Sequence, residues 1–262
     1  MRDLLNRMHK WLGDYMKSFY SDDAEVQRGI LIKERHTGYV TANCIALAKF
    51  LKLSKHDTEL AEIIGLFHDV GRFRQYSIYK TFNDADSEDH ADLGLKVIDE
   101  LEFFNELSAE DFSVVKFSIG NHNKMLVAPT DDDRKLLFVK IIRDADKLDI
   151  YRVLQPFLAQ ADVDKMPNFI KSKNRLVADI SPDFVENFVT GKQADYNKIR
   201  TNGDRKIVRL MWIYDINFSW TMRQIVKRGF IDKIVANLPM DERVAEGVRR
   251  LKAHVENKLK ES

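Results

Sequence analysis

Cysteine is almost absent from this chain: there is one in 262 residues, Cys44. An internal disulfide is therefore excluded, and the apolar helical pattern around Cys44 marks it as a small core residue. Proline and glycine are sparse, five and eleven, which leaves little of the punctuation that a chain of many short strands requires. Charge of one sign is also lacking. The formal net charge is +1, which argues against gripping long nucleic acid by bulk electrostatics, although local basic patches remain open. No apolar run is long enough for a membrane span. The first twenty residues mix charge with apolar side chains and lack the uninterrupted run of a signal peptide. A reduced, cytoplasmic, soluble protein of one domain or one and a half is expected. Its 44% apolar content is enough for a sizeable core.

What the chain does have is helical periodicity. Residues 2–20 repeat Leu4/Leu5, Met8, Trp11/Leu12, Tyr15 and Phe19 at helix spacing. Val40, Cys44, Leu47 and Leu51 form the next stripe. Ser54 and Asp57 resemble a capping box opening a helix through Leu60, Ile64 and Phe67, with Gly71 expected to close it. Ser108 and Asp111 open another through Val115 and Ile119, and a long helix is expected over about 134–158. Residues 161–180 read as a connection with short helices. Ser181-Pro182-Asp183 should start a helix that Gly191 ends. Residues 204–228 keep Ile207, Met211, Tyr214, Phe218, Met222 and Ile225 on one face, which also makes Trp212 and Trp220 core candidates. A last helix after Pro239 carries Val244, Val248, Leu251 and Val255; its stripe suits intramolecular packing, and a homodimer stays open. The fold class expected is all-α.

Against this background four histidines and two aspartates are out of place: His36, His68 with Asp69, His90, His122 and Asp146. Each falls in line with apolar positions, four or seven residues from a core side chain. Any one such histidine, taken alone, is more often a hydrogen-bonded core residue than a ligand. Five separate segments doing the same is harder to explain that way, because a buried polar group is costly unless satisfied, and a shared metal satisfies six at once. His9, His56 and His254 lie in polar or terminal settings and read as surface residues. Imidazole with carboxylate suits Mn, Fe, Ni, Co or Zn better than Mg alone. Six ligands exceed one tetrahedral site and fit two divalent ions sharing a carboxylate, with Asp69 as the natural bridge beside His68. Such a centre attracts phosphate esters and supplies hydroxide near neutral pH.

The order His…His-Asp…His…His…Asp resembles the HD-domain superfamily of metal-dependent phosphohydrolases. It is carried by ERHTGYV, GLFHDVGRF, SEDHADLGLKVI, IGNHNK and IRDADKLDIYR. The resemblance covers about residues 25–155. It implies an all-helical fold for that part; the domains expected are a helical bundle over 1–158 and, over 159–262, a C-terminal helical extension packing on it that resembles no nameable domain. It also implies that His36, His68, Asp69 and Asp146 hold one metal, that His90 and His122 complete a second site, and that a hydroxide bridging the metals attacks phosphorus.

Arg72 stands where many members have lysine, and it could bind phosphate bidentately. The doubled histidine and GYP segment of the cyclic-di-GMP phosphodiesterase branch are missing. Six ligands weigh against the branches that keep four, which include guanosine tetraphosphate hydrolases and many nucleotidases. Catalytic candidates are Asp69, Arg72 and Lys147. Arg72, Arg74, Lys80 and Lys124 are the substrate-binding candidates, the first three set among Phe73, Tyr76, Tyr79 and Phe82 as for a phosphate and a stacked base. Asp149 could orient a histidine or pair with Arg152. The expected activity is hydrolysis of a phosphate ester or anhydride of a small nucleotide-like substrate. The alternative is a diiron oxygenase cleaving a C–C or C–P bond.

Overall fold

The computed structural model describes residues 1–158, 179–192, 194 and 198–261. The chain divides into two compact units, Met1–Ile150 and Tyr151–Ser262. Among the described residues all regular structure is helical, and no helix is long and apolar enough to cross a membrane. The expected connection over 161–180 lies outside the described residues, save its last two positions.

The first unit is built from α1 (Arg2–Lys17), α2 (Ala24–Phe50), α3 (Lys55–Phe67), α4 (Val70–Tyr79), α5 (His90–Asp99), α6 (Ala109–Asn121) and most of α7 (Asp133–Leu158). Short polar side chains start these helices by accepting orphan amide hydrogens. Asp23 caps α2, Ser54 caps α3, Asp89 caps α5 and Ser108 caps α6. Most of each expected stripe is buried: Leu5, Met8 and Leu12; Val40, Cys44 and Leu47; Leu60, Ile64 and Phe67; Val115 and Ile119; Phe138 and Ile142. Trp11, Tyr15, Phe19 and Leu51 are only half-buried. Each of the buried side chains contributes roughly 1.5–3 kcal/mol by leaving water. α2 packs along α3, α4 against α5, and α6 against both α3 and α5.

Gly71 does not close α3 as expected. The helix ends at His68, and Gly71 is the second residue of a new one. Its missing side chain serves the α4–α5 crossing: a Cβ there would lie 2.2 Å from the His90 carbonyl oxygen and 2.5 Å from the Gly94 nitrogen. Sequence spacing cannot distinguish a glycine that ends a helix from one that lets two helices touch.

In the second unit α8 (Pro182–Thr190) starts on its proline and ends at Gly191 in the left-handed conformation (φ 73°), where glycine has no steric penalty. Ser181 is the N-cap residue but makes no side-chain cap; its hydroxyl donates to Asp204 and accepts from Arg200 Nε instead. The face expected over 204–228 is divided among α9 (Asn202–Met211), a 3-10 turn at Trp212–Asp215, and α10 (Ser219–Lys227). Ile216 and Phe218 between them are extended. Apolar spacing survives such a break, since residues on both sides still face a core. α11 (Phe230–Val235) and α12 (Glu242–Lys260) follow. The α12 stripe packs on α8, and Gly247 lies so close to Phe188 that a Cβ would approach its ring to 2.4 Å. His254, expected at the surface, is half-buried against Tyr214, and its Nε2 has no hydrogen-bond partner among the described residues. Met222 is fully buried, while Trp212 and Trp220 are half-buried.

Candidate metal centre

Helix ends bring most of the chemistry together. His68 is the residue just past α3, and His122 the residue just past α6. The last carbonyls of a helix lack intrahelical donors, and both histidines use one. His68 Nδ1 lies 2.8 Å from the Gly65 oxygen, and His122 Nδ1 lies 2.7 Å from the Ile119 oxygen. Each ring is thereby turned so that Nε2 points inward. Asp69 joins α3 to α4 with φ −109° and ψ 14°, near the sparsely used bridge region in which active-site residues are often found. His36 comes from within α2, His90 is the first residue of α5, and Asp146 lies in the middle of α7.

The six side chains converge. His36 Nε2 is 3.4 Å from His68 Nε2, 3.0 Å from Asp146 Oδ1 and 3.5 Å from Asp69 Oδ2. His68 Nε2 is 3.6 Å from the same Asp69 Oδ2. On the other side His90 Nε2 is 3.0 Å from His122 Nε2, and these atoms lie 3.3 and 3.8 Å from Asp69 Oδ1. The two oxygens of one carboxylate therefore face two different histidine pairs. All four histidines and Asp69 are at most 4% exposed.

Every histidine offers its Nδ1 to an acceptor. His36 meets Asp149 at 2.6 Å and His90 meets Asp84 at 2.7 Å, while His68 and His122 use the carbonyls already described. With a proton on each Nδ1, a neutral ring presents a bare Nε2 lone pair. Two such lone pairs facing each other at 3.0 or 3.4 Å repel unless a cation or a proton lies between them. The donor set, imidazole nitrogen with carboxylate oxygen, is one that suits divalent transition ions, and the two histidine groups that share Asp69 each bring three ligand atoms within 4.8 Å of one another.

Electrostatics point the same way at His68, at His90 and at the two carboxylates. Burial pushes the His68 imidazole down to about 4, aided by His122 and His36. Burial and Arg72 push His90 down to about 3. Both rings are thus neutral, the form that ligates metal. Burial and Lys33 also oppose a proton on His36, but its hydrogen bonds to Asp146 and Asp149 outweigh them and raise it. Burial disfavours the Asp69 carboxylate, yet Lys33, His68 and Arg72 hold it well below the usual range. Asp146 is lowered against its burial by His36, His68 and His122.

The remaining candidates are placed as follows. Arg72 Nη1 donates to Gln75, to the Phe82 carbonyl and to Asp84, and its Nε lies 3.6 Å from Asp69 Oδ1. Arg74 reaches Glu100, Lys80 Nζ donates to the Ser77 carbonyl, and Lys124 pairs with Asp89 at 2.6 Å. Lys147 is half-buried beside Asp146 on α7. Phe73 and Tyr76 are core residues; Phe82 stacks on Tyr76 at 4.3 Å, and Tyr79 donates to Glu88. Of the histidines set aside, His9 pairs with Glu62 and His56 with Asp111.

Two contributors escaped sequence reasoning. Lys33 places Nζ 2.7 Å from Asp69 Oδ2, with the Phe82 ring 5.4 Å away. Its signal was available: it lies three residues before His36, on the same helix face. Asp84 sits in a 3-10 turn, Asp84–Asp86, where no periodicity marks it.

Residues 34–151 match the family model of the HD domain. Members of that family are generally metal-dependent phosphohydrolases, and the buried cluster from His36 to Asp146 lies within the matched residues. No curated protein and no solved structure matches the chain.

Proposed function

We propose that the protein hydrolyses a phosphate ester or anhydride of a small nucleotide-like substrate, at a centre that holds two divalent transition ions. The observation that supports this most is the division of Asp69, with Oδ2 toward His36 and His68 and Oδ1 toward His90 and His122. One ion would be held by His36, His68, Asp69 and Asp146, the other by Asp69, His90 and His122. Bound there, the ions would acidify a water into a nucleophile and neutralise phosphoryl charge. The chain's own groups do the rest. Asp149, Asp84 and two helix-end carbonyls keep the four imidazoles in the ligating tautomer. Lys33 and Arg72 bring two further positive charges to Asp69, where an anionic phosphoryl group would find them. Burial of the histidines keeps the field between these charges strong.

Elemental analysis of protein purified without chelator, followed by a phosphatase and phosphodiesterase screen with added Mn, Co, Ni or Fe, tests the reading. Two equivalents of metal and phosphate release are expected. Asp69→Ala should abolish binding of both ions, whereas His122→Ala should weaken only one. If Asp69→Ala keeps two metals and full activity, the bridging role is wrong. Two irons with oxygen uptake and no phosphate release would replace hydrolysis by oxygenase chemistry.

A further inference from the structure

Three of the four inward-facing histidines are held by groups that the helices or the core supply. His68 and His122 each use the carbonyl three residues earlier, and His36 uses Asp149, itself 1% exposed. His90 has no such support. As the first residue of α5 it has no preceding turn to offer a carbonyl. Its only Nδ1 acceptor among the described contacts is Asp84, which sits on the loop before the helix.

Asp84 does more than accept one hydrogen bond. Its Oδ2 takes His90 Nδ1 at 2.7 Å and Asn123 Nδ2 at 3.3 Å. Its Oδ1 takes Arg72 Nη1 and Gln75 Nε2, both at 2.8 Å. Asn123 follows His122, and it also bonds Asp89, the cap of α5, at 3.0 Å. The Asp84, Asp89 and His90 side chains could on spacing alone hold an ion of their own. Both carboxylates, however, already accept from Arg72, Gln75, Asn123 and Lys124, so they form a brace.

We infer that Asp84 is the positioning residue for the His90–His122 half of the centre: it fixes the His90 ring and holds Arg72 beside, and not on, Asp69 Oδ1. Without it the ring is free to rotate. The guanidinium, whose Nε is already 3.6 Å from Asp69 Oδ1 and otherwise unpartnered, can then close on the oxygen that faces the second histidine pair. The inference rests on the two-ion reading and deepens it, by making occupancy of one half depend on a loop carboxylate that touches no ion.

Manganese titration, followed by the electron paramagnetic resonance of free Mn²⁺ and by calorimetry, tests this without any substrate. Asp84→Ala and Asp84→Asn should weaken the second equivalent about 10- to 100-fold, the usual effect of losing a histidine ligand's outer partner, and leave the first within about threefold. Asp149→Asn should weaken the first equivalent instead. Asp84→Glu should recover part of the loss, and circular dichroism of each variant checks that it folds. Arg72→Ala, which leaves the Asp84–His90 bond intact, should keep the second equivalent. Asp84 variants that match the wild type at both equivalents, or weaken both equally, would overturn the inference. A wild-type protein that takes up one equivalent would overturn the two-ion reading, and the inference with it.

Discussion

The crossing of α4 and α5 offers a test of how the backbone itself sets the centre. Gly71 lies two residues after Asp69, and His90 begins the opposing helix. A methyl group at Gly71 would meet three backbone atoms: the His90 oxygen at 2.2 Å, the Gly94 nitrogen at 2.5 Å and the Leu93 carbonyl carbon at 3.0 Å. None of these can swing aside as a side chain could, so the helices must separate by about an ångström to restore normal contact. Overpacking of this kind costs about 1–3 kcal/mol when side chains give way, and a backbone-to-backbone clash should lie at or above the upper end. For a chain of this size that is a loss of roughly 6–12 °C in Tm. Because His90 moves with α5, the second cation position should weaken more than the first. Gly94→Ala on the same crossing is the control. Its Cβ would find its nearest neighbour at 3.5 Å, an ordinary contact, and a mid-helix alanine gains up to about 1 kcal/mol in propensity. Thermal unfolding in chelator, with manganese titration of both variants, reads the two effects. A Gly71→Ala protein as stable as wild type, or a Gly94→Ala protein equally damaged, would refute the steric account.

Two further outcomes are expected. In the ion-free protein His68 and His90 are pushed to about 4 and about 3, against about 6.5 in an unfolded chain. Between those values the unfolded state binds protons that the folded state refuses. Stability should therefore fall as pH is lowered from about 6.5, by up to about 1.4 kcal/mol per pH unit for each ring. The raised His36 acts in the opposite sense, its contribution being present below about 6.5 and fading as pH rises. A chelated protein whose urea midpoint is flat or rising between pH 6.5 and 4.5 would contradict this balance. Lys33→Met removes an ammonium 2.7 Å from the Asp69 oxygen that faces His36 and His68. A half-buried positive charge there opposes a divalent ion, so the first equivalent should bind about tenfold tighter or more; unchanged or weaker binding would show that Lys33 does not compete.

The sequence by itself determined the helical class, the stripes that form the core and the set of residues that look inward. Those follow from a 3.6-residue period and from the cost of placing imidazole and carboxylate on an apolar face, both written along the chain. It left Asp149, three residues after Asp146, open between a histidine and Arg152, and the structure pairs it with His36. Only the tertiary structure decided which Asp69 oxygen faces which histidine pair, that Gly71 admits a helix where spacing read an end, and that Lys33 and Asp84 belong to the same centre. Tertiary structure also divided one apparent face in the second unit between two helices, because periodicity records burial and not chain direction. Distances between segments depend on how closely backbones approach, and Asp84 sits in a turn with no period, so neither leaves a signal in residue spacing.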